Sequence, residues 1–132
     1  MSTAGPRVVA IDHVQLAMPP GPEAEALAVA FYHGLLGLPR VAKPPALAVR
    51  GGCWFGRDGA KVHLGVEDDF RPARKAHPAL VVDDIDALCR LLDRSGRPTR
   101  HTEDVPGMPQ WYVDDPFGNR IELVPDPEGT GS

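Results

Sequence analysis

The chain has 132 residues, of which 42% are hydrophobic and 24% charged, a balance typical of one globular domain with its own core. Its net charge of −4 gives no reason to expect a nucleic acid or an anionic membrane as a partner. Cys53 and Cys89 are too few for a disulfide framework and do not have the spacing of a metal motif. Because no signal segment or membrane-length apolar run is visible, we expect a cytoplasmic protein.

The first half of the chain predicts a strand, a helix and three short strands. Residues 8–18 are rich in β-formers and end at a proline cluster, which favours a strand. Residues 23–36 carry apolar side chains at helical spacing, and Gly37 follows as a natural helix terminator. The three short strands, joined by glycine-containing turns, are predicted at residues 46–49, 53–56 and 61–66.

The second half restarts the same order of elements after a charged linker at residues 67–75. A strand is predicted at residues 76–82, and a helix capped by Asp83 or Asp84 runs to Arg94. Three further strands are predicted at residues 99–102, 110–113 and 120–124. The sequence therefore predicts an α+β fold of two βαβββ modules in a single domain over residues 1–132. Module one covers about residues 8–67 and module two about 76–125, with tails at 1–7 and 126–132.

The two modules also repeat individual residues at constant intervals. Gly59 and Gly118 are 59 residues apart, and so are His63 and Glu122, with no gap between the two alignments. His13 and His77, in the first strand of each module, are 64 residues apart. Internal repetition of this kind indicates that equivalent side chains come from equivalent places in the two modules.

Four of the repeated positions carry side chains that bind metals. They are His13, His63, His77 and Glu122. A carboxylate in the middle of a strand needs a partner, since burial of an unpaired charge is costly. Three imidazoles and one carboxylate suit a divalent transition metal, namely Zn, Ni, Fe, Mn or Co. The sequence predicts that these four residues converge on one such ion.

Several motifs together resemble those of the vicinal oxygen chelate superfamily, the glyoxalase, bleomycin resistance and extradiol dioxygenase group. The motifs are IDHV at 11–14, LLGL at 35–38, AH at 76–77 and DPFGNRIEL at 115–123. The resemblance implies a cupped, mostly antiparallel mixed sheet made by the two modules. It also implies that two chains pair as a homodimer, in which a metal site can draw ligands from one chain or from both.

The resemblance assigns roles to the same residues. His13, His77 and Glu122 match the metal ligands shared by superfamily members, and His63 stands where bacterial glyoxalase I carries a glutamate ligand. His63 is therefore either a fourth ligand or an acid–base group, and Glu122 or a metal-bound water could act as a base. Ala17 and Glu67 replace the arginine and asparagine with which those glyoxalases hold glutathione, so two glutathione contacts are missing.

Three interpretations of function remain open at this point. The first is a metal-dependent lyase, isomerase or dioxygenase that polarises two adjacent oxygens of a small substrate, with His63 and Glu122 as catalytic groups. The second is a metal-free, bleomycin-resistance-like protein that binds a small molecule. The third is a degenerate relative in which the polar residues line a wet cavity.

Overall fold

The computed structural model describes residues 5–128, and they form two four-stranded sheets with helices packed between them. In chain order the elements are β1 (Val14–Met18), α1 (Pro22–Ala28) with a π-helical continuation (Val29–His33), β2 (Arg40–Val41), α2 (Pro45–Ala48), β3 (Cys53–Arg57), β4 (Ala60–Val66), β5 (Ala79–Val82), α3 (Ile85–Arg94), β6 (Arg100–Val105), β7 (Met108–Asp114) and β8 (Arg120–Pro125). Among these residues no helix is long and apolar enough to cross a membrane.

The two sheets have the same topology. Sheet A has the strand order β1-β4-β3-β2, and sheet B has the order β5-β8-β7-β6. In each sheet the first strand of the module pairs in parallel with the last, and the remaining pairs are antiparallel. The predicted α+β fold of two related modules is confirmed, whereas the domain boundaries stay a prediction. Of the predicted tails, residues 1–4 and 129–132 lie outside the described part of the chain.

The pairing register confirms that the repeat is structural as well as sequential. His63 on β4 lies beside Gln15, two residues after His13. Glu122 on β8 lies beside Ala79, two residues after His77. The four predicted site residues therefore occupy matching places in the two modules.

Each sheet buries one face and leaves the other uncovered within the chain. The core cluster includes Val62 and Leu64 of β4 and Ile121 and Leu123 of β8, packed with residues of α1 and α3. Because side chains alternate along a strand, His63 and Glu122 point to the opposite side of their sheets. We call these the open faces of sheets A and B: they carry the side chains of β1, β3–β4 and β6–β8 that alternate with the core residues.

The structure differs from the predicted elements at two places in module one. Residues 46–49 were predicted as a strand, but Pro45–Ala48 forms the short helix α2, and the edge strand is Arg40–Val41 instead. Two successive prolines explain the difference, since Pro45 can occupy the first turn of a helix without needing a backbone donor. The strand predicted from residue 8 begins only at Val14, because residues 8–11 are exposed.

The loop between β7 and β8 joins the two modules. Asp115, buried in this loop, accepts hydrogen bonds from the Tyr32 hydroxyl of the first helix and from the Asn119 side chain, at 2.7 and 2.9 Å. Asn119 also donates to the Ala17 carbonyl of β1 and accepts from the Ala73 amide, both at 2.9 Å. Burial and the neighbouring Asp115 raise the pKa of Tyr32 well above its usual value, so its hydroxyl stays protonated as a donor.

Candidate functional site

In module two, His77 and Glu122 form a partly buried pair on the open face of sheet B. His77 Nε2 lies 3.0 Å from Glu122 Oε1, and the two side chains are 24% and 18% exposed. Glu122 is held by its position in β8, where its amide donates to the Pro78 carbonyl next to His77. The ring of Tyr112 meets the His77 ring edge-on at 5.7 Å between centroids and forms one side of the pair.

The hydrogen bonds of His77 determine which of its ring nitrogens carries a proton. Its Nδ1 lies 2.8 Å from the Lys75 carbonyl, which can only accept, so Nδ1 must be the N–H donor. In a neutral ring Nε2 then presents a lone pair to the carboxylate of Glu122. Two acceptors at 3.0 Å repel each other, and a proton or a metal cation between them removes that repulsion. The pair is therefore oriented to share a cation.

In module one, His13 and His63 form a second pair on the open face of sheet A. Their ring centroids are 4.1 Å apart and the rings are nearly parallel. On its other side the His63 ring stacks on Trp54 at 4.0 Å. His13 Nδ1 lies 2.9 Å from Asp12 Oδ2, so the carboxylate orients this ring and leaves Nε2 free.

The electrostatics of this pair favour a neutral His63. Burial between the two rings, followed by the nearby His13, lowers the pKa of His63 below its usual value. Asp12 accepts from His13 and lies near Lys61, and these two contacts lower the pKa of its carboxyl. Neutral imidazole is the form that binds a metal ion.

The structure thus brings the four predicted residues together as two pairs. Among residues 5–128 of one chain, no group of three or more histidine, cysteine, aspartate or glutamate side chains is placed to hold a metal ion. The convergence of both pairs on a single ion stays a prediction.

The donors of both pairs fit a divalent metal. Two donor atoms that each lie about 2.1 Å from one ion are roughly 3 Å apart when they subtend a right angle at it, and the His77–Glu122 separation is 3.0 Å. His77 and His13 each have Nδ1 tied to an oxygen, the arrangement that orients Nε2 toward a metal. A bound metal would supply Lewis acidity for two adjacent substrate oxygens.

A cavity of about 590 Å³ opens beside the His13–His63 pair. Trp54, Val41 and Lys61 contribute to its wall. A second cleft, of about 290 Å³, lies between Gln15 of β1 and His77. A cleft of about 610 Å³ lies elsewhere, between Leu88 of α3 and the β3–β4 turn, and contains none of the predicted site residues. The chemistry of the lining residues, rather than cavity size, identifies the candidate site.

Sequence reasoning missed several polar neighbours of the pairs. The Lys75 carbonyl and Asp12 orient the two histidines, and Arg120 lies over the Tyr112 ring at 5.6 Å. Strand alternation places Tyr112 and Arg120 on the face that carries Glu122, and that signal was present in the sequence. The side-chain directions of Asp12 and the bend at Lys75 are not readable from a pattern.

Known proteins resemble the chain in both sequence and structure. The family described as Glyoxalase/Bleomycin resistance protein/Dioxygenase superfamily matches residues 10–123. A crystal structure of a glyoxalase family protein from Bacillus anthracis is 41% identical, with a TM-score of 0.85 over 93% of this chain and 99% of that one. Among curated proteins no match was found.

Two further structures are more distant. TnmS3, an antibiotic binding protein from Streptomyces sp. CB03234, is 28% identical, with a TM-score of 0.60 over 89% of this chain and 98% of its own. The fosfomycin resistance protein FosX from Listeria monocytogenes is 13% identical, with a TM-score of 0.70 over 96% and 100% of the two chains, and this likeness concerns the fold alone. The matched span and the 41% identical structure lead to one conclusion: the chain belongs to the Glyoxalase/Bleomycin resistance protein/Dioxygenase superfamily.

Proposed function

We propose that the protein is a divalent-metal-dependent enzyme that acts on a small substrate through two adjacent oxygens. The metal ligands would be His13, His63, His77 and Glu122, contributed as the two pairs described above. The observation that carries the proposal is the His77–Glu122 pair, whose facing lone pairs need a cation and whose spacing suits one ion. The chemistry would be that of a lyase, isomerase or dioxygenase.

The chain's own groups would bind, orient and move protons. Trp54 and the neighbouring rings offer flat apolar surfaces against which a substrate can pack. Glu122 would accept a proton from the substrate, being the carboxylate nearest the proposed ion. If His63 is not a ligand, its low pKa makes its neutral ring a proton acceptor at neutral pH.

We further propose that the two pairs combine in a homodimer. β1 and β5 each have one unpaired edge within the described sheets, and the histidine of each pair immediately precedes one of these strands. Unpaired edges are places where a second chain can dock. The alternative is convergence within one chain across the cleft between Gln15 and His77.

Metal analysis of the purified protein tests the enzyme proposal. We expect about one equivalent of a divalent transition metal per chain after removal of loosely bound ions, and a rise in melting temperature when metal is returned to chelated protein. His77→Ala should lower metal affinity by a factor of at least ten. His101→Ala is the matched control, because this exposed histidine stacks on Trp111 outside both pairs. Wild-type protein that neither retains metal nor gains stability from it would refute the proposal.

A metal-free binding function is the second candidate, favoured by the 28% identity to an antibiotic binding protein. The stacked Trp54, His63 and His13 rings present aromatic surfaces suited to a flat ligand. In this case ligand binding should persist in His77→Ala and in chelated protein, and Trp54→Ala should weaken it. Calorimetry of both variants with the same ligand would separate the two candidates.

A further inference from the structure

Arg120 occupies a distinctive position on the open face of sheet B. It lies two residues before Glu122 on β8, so both side chains project from the same face at a spacing of about 7 Å. Its guanidinium lies over the Tyr112 ring, which also contacts His77. Tyr112 therefore sits between Arg120 and the His77–Glu122 pair.

The internal repeat shows that Arg120 lacks an acidic partner that its counterpart has. Lys61, 59 residues earlier, holds the equivalent place before His63, and its Nζ lies 3.7 Å from Asp12. Asp12 precedes His13, and the residue that precedes His77 is Ala76. Module one therefore contains a carboxylate beside its lysine, whereas module two has a methyl group at the corresponding place.

No other acid in the described structure replaces it. Asp114, the cross-strand partner of Arg120, uses Oδ1 for Arg74 and Arg100, at 3.0 and 3.1 Å. Glu122 is directed to His77. Over residues 5–128, no carboxylate lies within ion-pair distance of the Arg120 guanidinium, and three arginines share one carboxylate on this face.

Two buried polar atoms on this sheet strengthen the case for a ligand. Arg120 Nε and Thr102 Oγ1 are buried and have no hydrogen-bond partner among the described residues. The register Thr102–Gln110 and Asp114–Arg120 places both residues on the open face of sheet B. A buried donor without a partner costs about 1–3 kcal/mol, which an accepting oxygen would recover.

We propose that Arg120 binds an oxyanion of the substrate, a carboxylate or a phosphate-type group, beside the His77–Glu122 pair. The guanidinium supplies charge and planar N–H donors of the geometry that such groups accept. This inference deepens the proposed function by naming the substrate class. Anion binding itself needs only Arg120 and its neighbours, and can be measured in protein freed of metal.

Titration of chelated protein with inorganic phosphate, and separately with oxalate, tests the proposal. The Nε–H resonance of Arg120, assigned by its disappearance in Arg120→Lys, should shift with one of these anions more than with chloride at equal ionic strength. Arg120→Gln should weaken binding at least tenfold, as loss of a charge-assisted contact predicts. Arg90→Gln, a change at an exposed arginine of α3, should leave the affinity unchanged. The preferred anion indicates which group the substrate carries.

A second pair of variants uses the repeat itself. Ala76→Asp returns to module two the acid that Asp12 supplies in module one, and should weaken anion binding about as much as Arg120→Gln. Ala76→Asn changes the same exposed position without adding charge and should bind as the wild type does. This pair tests the site even if Arg120→Gln folds poorly.

The inference is overturned if neither anion binds beyond the chloride control, or if Arg120→Gln and Ala76→Asp bind as tightly as the wild type. Equal weakening by Arg90→Gln would also overturn it, because that result indicates general charge attraction. Because the titrations use chelated protein, a failure of metal binding leaves these outcomes readable. Loss of anion binding with metal affinity intact would refute this inference and not the enzyme proposal.

Discussion

At the scale of single residues, the two histidine environments are built differently. His77 is oriented by a backbone carbonyl and faces a carboxylate. His63 has aromatic rings on both sides, with Trp54 at 4.0 Å and His13 at 4.1 Å. The first environment favours a shared cation, and the second favours a neutral ring. Residue types in the sequence identified both histidines, but their neighbours depend on side-chain directions that no pattern encodes.

The low pKa of His63 predicts a loss of stability in mild acid for the metal-free protein. Its folded pKa lies below the usual 6.5, so the unfolded chain takes up a proton first as the pH falls. Stability contributed by the neutral ring is present above about pH 6.5 and declines as the pH drops toward the folded pKa. Urea unfolding of chelated wild type and His63→Gln should therefore show a smaller acid-induced loss in the variant.

His33→Gln is the control for that measurement, because His33 is exposed near the end of the first helix. It should retain the acid-induced loss of the wild type. An identical pH dependence in wild type and His63→Gln would contradict the prediction, and histidine resonances followed by NMR would show directly which ring titrates late.

At the scale of elements, hydrophobic alternation was informative and turn chemistry was less so. The pattern of β4 and β8 predicted both strands, because a sheet with one buried face requires period-two alternation. The helix α3 begins after Asp84, whose side chain accepts from the Ala87 amide at 3.1 Å, as its capping signal predicts. Residues 46–49 were wrongly predicted as a strand, because their local β-propensity was outweighed by the helix-starting Pro45.

The start of β3 depends on a glycine that approaches the neighbouring strand closely. Gly52 has φ of +90°, and a Cβ there would lie 2.3 Å from the Leu64 carbonyl oxygen. We expect Gly52→Ala to lower the free energy of unfolding by about 2–4 kcal/mol, since backbone strain and a backbone clash act together.

Gly59→Ala, at the β3–β4 turn where nothing lies within 4 Å of the added Cβ, should change the unfolding free energy by no more than about 0.5 kcal/mol. Chemical denaturation of both variants makes the comparison. Equal stability of the two would show that β3 shifts to accommodate the methyl group.

At the scale of the whole molecule, the repeat was readable from spacing alone, because equal intervals between equivalent residues survive independently of local structure. The matching registers of β1–β4 and β5–β8 confirm it. How the two modules face one another was not readable, because that depends on contacts such as Asn119 with Ala17. The assembly of the two pairs belongs to this scale as well.

Mixed dimers test the proposed assembly. His13→Ala and His77→Ala chains, each expected to bind metal poorly alone, are co-expressed with different tags and the mixed dimer is isolated. If each site takes one pair from each chain, the mixed dimer has one intact site and should bind about one ion per dimer.

If each site lies within one chain, both sites in the mixed dimer are damaged and no ion should bind tightly. A dimer of His13→Ala and His101→Ala chains is the control. It retains one intact site under either arrangement. A mixed dimer of His13→Ala and His77→Ala that fails to bind metal while this control succeeds would exclude the shared arrangement.

The loop that contains Asp115 and Asn119 has a consequence for how such a protein can change over time. It binds the first helix through Tyr32, the first strand through Ala17 and the interdomain segment through Ala73. Gene duplication supplied two similar halves, but this loop of the second half now completes the first. Neither half can be exchanged for a relative's counterpart unless the replacement preserves these three attachments, so the halves are expected to have diverged as one inherited unit.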